Sequence, residues 1–154
     1  MKNLWLASTL LAPVFLFTHP AHASERAVPC STLPSAVQQK GNSLLDGATI
    51  HACQKDVTKG VTTYEMEFLK DGRSRDITFD PSGNIVEAEN QVDLDALPAL
   101  VKAAILKASN GTKPGKIESL TRNGQIISYE TTILKAGKHH EIAFHPDGSS
   151  MQPD

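Results

Sequence analysis

Two stretches of the chain share one residue pattern, and this internal repeat constrains the fold more than any other feature of the sequence. A Leu-Pro-x-x-Val segment at residues 33–37 recurs at residues 97–101, an offset of 64. A longer pattern, Tyr-Glu, then Gly, then Ile-x-Phe-x-Pro-x-Gly, runs through residues 64–83 and recurs through residues 129–148, an offset of 65. Such a unit is larger than a solenoid repeat and too small to bury an extensive core alone. The sequence therefore predicts two copies packed together in one domain.

Each copy carries the signals of one helix followed by antiparallel strands. A proline is tolerated in the first turn of a helix, so the first helix is predicted to start near Leu33-Pro34, with Ser31 or Thr32 as its cap. The second helix is predicted to start at Asp95 or Leu97. Strands are predicted at residues 50–57, 61–69, 74–80, 84–87, 116–122, 125–134 and 138–145. The predicted fold is α+β: two tandem helix-plus-antiparallel-meander units, about residues 31–88 and 94–151, that form one sheet with both helices on one face.

Residues 1–23 have the features of a secretory signal peptide. Lys2 provides a positive charge, residues 4–17 form an apolar run, and Ala21-His22-Ala23 is a cleavage site of the A-x-A type. The run is too short to span a bilayer comfortably, and a membrane anchor is the alternative. The mature protein is then a single domain of residues 24–154, periplasmic or secreted, with no membrane attachment after cleavage.

The charge of the mature chain argues against a role on nucleic acid. Without Lys2, 14 basic and 17 acidic residues remain, a net charge of −3, so no strongly basic surface is expected. Aromatic residues make up only 5% of the chain, which argues against base-stacking and sugar-binding surfaces. The expected partner is another periplasmic or secreted protein.

The two cysteines, Cys30 and Cys53, both lie in the mature part of the chain. In an oxidising compartment they are predicted to form a disulfide, and free thiols or an intermolecular bridge are the alternatives. Cys30 aligns with Leu94 at the offset of 64, and Cys53 aligns with Leu120 at an offset of 67. The sequence therefore predicts that a disulfide in the first copy takes the place of an apolar pair in the second.

The Leu-Pro-x-x-Val start and the Ile-x-Phe-x-Pro-x-Gly end of each copy resemble the PepSY and PepSY-like superfamily, which includes proteins described as β-lactamase-inhibitor-like. The resemblance covers both halves of the mature chain. It implies tandem helix-plus-meander units in one sheet, and a role in inhibition or protein binding. Because the matching residues are turn and core residues, the resemblance identifies a fold better than an activity.

A meandering sheet with helices on one face leaves its other face to solvent, and this open face is the predicted binding surface. Alternation along the strands places the candidate binding residues there: Glu65, Glu67, Glu130, Thr132, His139 and Glu141. Most of them are acidic, so the expected partner carries a basic patch.

Metal binding is a second hypothesis, because imidazole and carboxylate groups on one strand face can bind zinc or copper. His139 and Glu141 offer two ligands, but His145 lies about 20 Å further along the strand, beyond chelation. No metal site and no cofactor are predicted. The segments at Asp71-Gly72 and Asp80-Pro81-Ser82-Gly83 lack the ligand spacing of a calcium loop and predict turns.

No catalytic residues are predicted. The chain has no Gly-x-Ser-x-Gly motif, and both cysteines are predicted to be paired. The sequence therefore favours a non-catalytic protein-binding or inhibitor-like module. A periplasmic small-ligand or metal-binding protein is the alternative, and an envelope factor without a discrete site is a third hypothesis.

Overall fold

A computed structural model describes residues 26–151 of the chain. The predicted signal peptide, residues 1–23, and the predicted mature start at Ser24 lie outside the described residues. The two helices are α1 (Ser35–Ser43) and α2 (Ala99–Ser109), and each follows a short 3-10 turn. The strands are β1 (Arg26–Ala27), β2 (Thr49–Thr58), β3 (Val61–Lys70), β4 (Arg73–Phe79), β5 (Ile85–Val92), β6 (Ile117–Arg122), β7 (Gln125–Lys135) and β8 (Lys138–Phe144).

The strands of the described part of the chain form one antiparallel sheet of eight strands, ordered as they are in the sequence. α1 lies between β1 and β2 in the chain, and α2 lies between β5 and β6. The sheet nevertheless continues across both helices, because β1 pairs with β2 and β5 pairs with β6. The predicted α+β class and the single meandering sheet are confirmed.

Both helices pack on the same face of the sheet. A first cluster joins α1 to the strands that follow it: Leu33, Val37, Cys53, Met66, Phe68, Ile77, Phe79 and Ala88. A second cluster joins α2 to β6, β7 and β8: Leu97, Val101, Ile105, Ile117, Tyr129 and Phe144. Ala88 and Val92 are four residues apart on β5, so both point to the same side of the sheet, and Val92 pairs with Ile117. The two clusters therefore share one face. Neither α1 nor α2 lies on the opposite face.

A turn glycine lies directly beneath each helix. A Cβ atom on Gly83 would lie 2.7 Å from the carbonyl oxygen of Ala36 in α1, and one on Gly148 would lie 2.8 Å from that of Leu100 in α2. Both glycines also have a φ of +82°, which other residues rarely adopt. The glycine of each Pro-x-Gly segment is therefore required by the close approach of the helix backbone.

The start of α1 differs from the prediction. Its N-cap residue is Pro34, which makes no side-chain capping bond, and neither Ser31 nor Thr32 caps the helix. The hydroxyl of Thr32 instead donates a hydrogen bond of 2.7 Å to the carbonyl of Pro29, within the preceding 3-10 turn. The Thr32 side chain, which was predicted as a possible cap of α1, thus bonds to a local backbone carbonyl instead.

β5 is longer than predicted, because it continues to Val92 where the prediction stopped at residue 87. Its polar alternation hides the strand, since Glu87, Glu89 and Gln91 lie on one face and only Ala88 and Val92 offer apolar side chains on the other. This length matters because β5 pairs with β4 from Ile85 to Asn90 and with β6 from Ala88 to Val92.

The predicted disulfide between Cys30 and Cys53 is present. The alignment of Cys53 with Leu120 is wrong, because Leu120 pairs with Glu89 on the face opposite the helices. Ile117 lies on the helix side and joins Leu94 in the second cluster. The apolar counterparts of the two cysteines are therefore Leu94 and Ile117, and both lie at the same offset of 64.

Replacing either buried phenylalanine of the two clusters is expected to destabilise the protein strongly. Phe79 and Phe144 are 0% and 8% exposed, and each pairs across the sheet with a tyrosine. We expect Phe79→Ala and Phe144→Ala each to lower the free energy of unfolding by roughly 3 to 5 kcal/mol in urea titrations. Leu100→Ala, at a side chain 65% exposed, serves as the control. A loss below about 1 kcal/mol for either phenylalanine would contradict the assigned packing.

A methyl group at Gly83 should cost more stability than the same change at Gly72. Both residues have a positive φ, but a Cβ on Gly72 would meet no atom within 4 Å. We expect Gly72→Ala to cost roughly 1 to 2 kcal/mol from backbone strain alone. Gly83→Ala should cost about 1 to 3 kcal/mol more, because α1 must move. Equal losses of unfolding free energy in urea titrations would show that α1 does not contact the turn at Gly83 closely.

Candidate functional site

The face without helices concentrates carboxylates, and we call it the acidic face. Cross-strand pairing brings Glu65 beside Thr78, Glu67 beside Asp76, and Glu118 beside Glu130 on this side of the sheet. The carboxylates of the acidic face are Asp56, Glu65, Glu67, Asp76, Glu87, Glu89, Glu118, Glu130 and Glu141. They extend from β2 across the centre of the sheet to β8.

The residues predicted from the sequence all lie on the acidic face. Glu65 and Glu67 lie half-buried on β3, and the side-chain amide of Gln54 donates a hydrogen bond of 3.3 Å to Glu65. Glu130 and Thr132 lie half-buried on β7. His139 and Glu141 lie exposed on the edge strand β8. The structure therefore places these residues in two groups, on either side of the sheet centre.

Three carboxylates fill the centre of the face: Asp76 on β4, Glu89 on β5 and Glu118 on β6. None of them is among the candidate binding residues predicted from the sequence. At least one carboxylate oxygen of each lies within 4.8 Å of the others. Glu89 was missed because the prediction ended its strand too early. The alternation of Glu87, Glu89 and Gln91 was the signal that could have identified it.

Two cations lie among these carboxylates, and each is paired. The ammonium of Lys116 lies 2.7 Å from Oε1 of Glu118 and donates a hydrogen bond of 3.2 Å to the hydroxyl of Ser74. The guanidinium of Arg122 donates to Glu87. The acidic face therefore keeps a net negative charge.

The crowding of carboxylates changes their proton affinity. Burial raises the pKa of Glu89 to about 8, and the negative charges of Glu118, Glu130, Glu87 and Asp76 add to the effect. Burial also raises the pKa of Asp76 to about 6, against the opposing charge of Lys116. At neutral pH the centre of the face therefore holds a proton on Glu89.

The same three side chains meet the distance requirement for a divalent cation, but other features argue against one. The ammonium of Lys116 already contacts Glu118. The three residues bring one carboxylate oxygen each into close proximity, fewer than the six to eight oxygen ligands that calcium takes. His139 and Glu141 belong to no group of three close ligands within residues 26–151. We therefore assign no metal ligands in the described part of the chain.

The aspartates near the turn glycines organise turns. The carboxylate of Asp80 accepts hydrogen bonds from the backbone amides of Ser82 and Asn84 and from the side-chain amide of Asn84. Asp147 accepts from the backbone amide of Ser149 in the same way. The side-chain hydrogen bond from Asn84 is the largest cause of a lowered pKa at Asp80. These bonds agree with the predicted turn at Asp80.

A shallow cavity of about 220 Å³ lies on the helix side of the sheet, beside the end of α1. Leu44, Leu45 and Phe68 line it together with Lys70, Arg73 and Arg75. None of the candidate binding residues borders this cavity. Neither helix of the described residues is long and apolar enough to cross a membrane.

Solved proteins from Bacteroides have similar folds. A Bacteroides eggerthii protein described as periplasmic superposes with a TM-score of 0.64 at 18% identity, over 78% of this chain and 86% of its own. A BLIP-like protein of Bacteroides fragilis gives 0.57 at 22% identity, over 82% and 86%. A DUF2874 family protein of Bacteroides ovatus gives 0.60 at 16% identity, over 79% and 86%. At these identities the similarity shows the fold alone.

The predicted likeness to inhibitor-like proteins is supported at the level of the fold by the BLIP-like neighbour. No protein-family model matches the chain, and no curated protein matches it significantly. Because a shared fold does not define an activity, the proposed activity rests on the acidic face itself.

The stability of the protein should fall as the pH rises from about 5.5 to 8. Over this range folded Glu89, with a pKa of about 8, holds a proton that the unfolded chain releases near pH 4.5. Asp76 contributes in the same direction up to about pH 6. Glu89→Gln should be more stable than the parent at pH 8 and should flatten the slope, because each pKa unit corresponds to about 1.4 kcal/mol.

Urea titrations at pH 5.5, 7 and 8 measure this effect. Glu141→Gln, at an exposed carboxylate on the edge of the same face, removes the same charge and serves as the control. A parent protein whose stability is constant or rises between pH 5.5 and 8 would contradict the assigned proton on Glu89.

Proposed function

We propose that this chain is a non-catalytic periplasmic protein that binds a basic segment of another protein through its acidic face. The observation that carries the proposal is the concentration of carboxylates on the sheet face that neither α1 nor α2 covers. Among the described residues, Lys116 pairs with Glu118 and Arg122 pairs with Glu87. A partner that supplies lysine or arginine side chains would complete the charge balance.

The composition of the face also defines the kind of binding. Large aromatic side chains, which anchor tight protein interfaces, are absent from its central residues, so electrostatic attraction dominates. Exposed charges are screened over about 10 Å at 0.1 M salt. Capture should therefore be fast, strongly salt-dependent and of modest affinity.

We also infer a periplasmic location and membership of the PepSY-like superfamily. The signal-peptide features of residues 1–23 and the neighbours described as periplasmic support a periplasmic location. The repeated motifs and the helix-plus-meander order support two tandem PepSY-like units. Inhibition of a β-lactamase is no part of the proposal, because the similarity to a BLIP-like protein concerns the fold.

Charge reversal on the acidic face should abolish binding of a basic probe. We expect a fluorescent decalysine peptide to bind the parent protein at low salt, with binding lost as salt rises. The triple variant Glu65→Lys, Glu67→Lys and Glu130→Lys should weaken binding at least about tenfold, because three attractive contacts become repulsive. Fluorescence anisotropy measures the affinity, and circular dichroism checks that the variant is folded.

A matched triple variant controls for net charge. Asp46→Lys, Asp71→Lys and Asp95→Lys make the same change in exposed turns away from the acidic face, and Asp46 and Asp95 have side chains 93% and 91% exposed. This control should retain more binding than the face variant. Equal losses in the two folded variants would refute the placement of binding on the acidic face.

The alternative function as a metal-binding protein has its own outcome. Tight zinc or copper binding by the parent protein that is lost in His139→Ala, together with no binding of decalysine, would favour that alternative. Isothermal titration calorimetry with each metal separates the two functions.

A further inference from the structure

Glu89 occupies the centre of the acidic face, with carboxyl groups on both neighbouring strands. Asp76 on β4 pairs with it directly, and Glu118 lies diagonally opposite on β6. Oxygen atoms of the three side chains lie within 4.8 Å of one another. The other carboxylates that act on this cluster are Glu67 on β3, Glu130 on β7 and Glu87 on β5.

The cations beside this cluster are already paired with other carboxylates. Lys116 lies against Glu118, and Arg122 donates to Glu87. Among the described residues, the ion pairs of these two cations involve Glu118 and Glu87 and not Glu89. An ionised Glu89 would therefore be half-buried among like charges, and protonation relieves this repulsion.

We propose that capture of a basic partner on the acidic face releases a proton from the cluster of Asp76, Glu89 and Glu118. This inference rests on the proposed function and adds the regulation of the same surface. The acidic face then holds its partner more tightly at pH 8 than at pH 6.

The direction of the effect follows from linkage. Ammonium or guanidinium groups of a partner favour ionised carboxylates, so binding lowers the pKa of Glu89 from about 8 and of Asp76 from about 6. Linkage is reciprocal, so the proton weakens the partner's binding by the same factor. One released proton corresponds to a gain in affinity of up to about tenfold per pH unit.

Calorimetry with decalysine measures the released proton. Titrations at pH 7 in PIPES and in Tris, at equal ionic strength, give the number of protons from the difference in apparent enthalpy. We expect the parent protein to release about 0.5 to 1 proton per complex. Glu89→Gln should lose most of the gain in decalysine affinity between pH 6 and pH 8 and release less than half as many protons as the parent. Glu141→Gln removes one charge from the edge of the same face and should release as many protons as the parent.

The outcomes separate this inference from the proposed function. Decalysine binding without proton release, or equal release by the parent and by Glu89→Gln, would overturn the inference and leave binding on the acidic face intact. No binding at any pH between 6 and 8 would overturn both. A carbon-13 NMR titration of the Glu89 carboxyl in the free protein, with a midpoint below about 5.5, would also refute it.

Discussion

The direct contact between each helix and the turn glycine beneath it is the constraint on which the rest of the structure depends. Because Gly83 and Gly148 have no side chain, the backbones of α1 and α2 can approach these turns more closely than a Cβ atom would allow. This contact fixes both helices on one side of the sheet, where they cover two apolar clusters. With one face covered, every second residue of each strand must point away from the helices.

That alternation places the apolar clusters and the acidic face on opposite sides of the same strands. Met66 and Phe68 point into the first cluster, and the intervening Glu67 points to the other side. Placing carboxylates side by side there opposes folding at neutral pH, because their mutual repulsion and partial burial must be overcome. Groups with strongly shifted pKa values concentrate at functional sites, and the fold would be more stable with neutral residues at these positions. This cost to stability is one reason why we propose the acidic face as the binding surface.

The sequence was most informative where the pattern of residues has a strict period. The repeated motifs predicted two helices and one meandering sheet, since apolar alternation and turn glycines determine which residues face the helices. It was least informative where polar residues continue a strand, as β5 does beyond Glu87, because alternation without apolar contrast has no distinct signal. The same weakness concealed Glu89, whose position depends on pairing between strands that are distant in the sequence. A bulge between Leu120 and Thr121 likewise shifts parity without leaving a local mark.

The disulfide determines how one edge of the sheet meets other chains. Cys30 is bonded to Cys53, and the amide of Val28 donates to the carbonyl of Cys53, so the short strand β1 is held over the outer edge of β2. At the opposite edge, β8 carries Lys138, His139 and His140, polar side chains that discourage strand addition. Reduction would release β1 from the outer edge of β2 at Cys53, Gln54 and Lys55, where it is paired. The redox state of the disulfide would thus decide whether this part of the edge is closed to the addition of another strand.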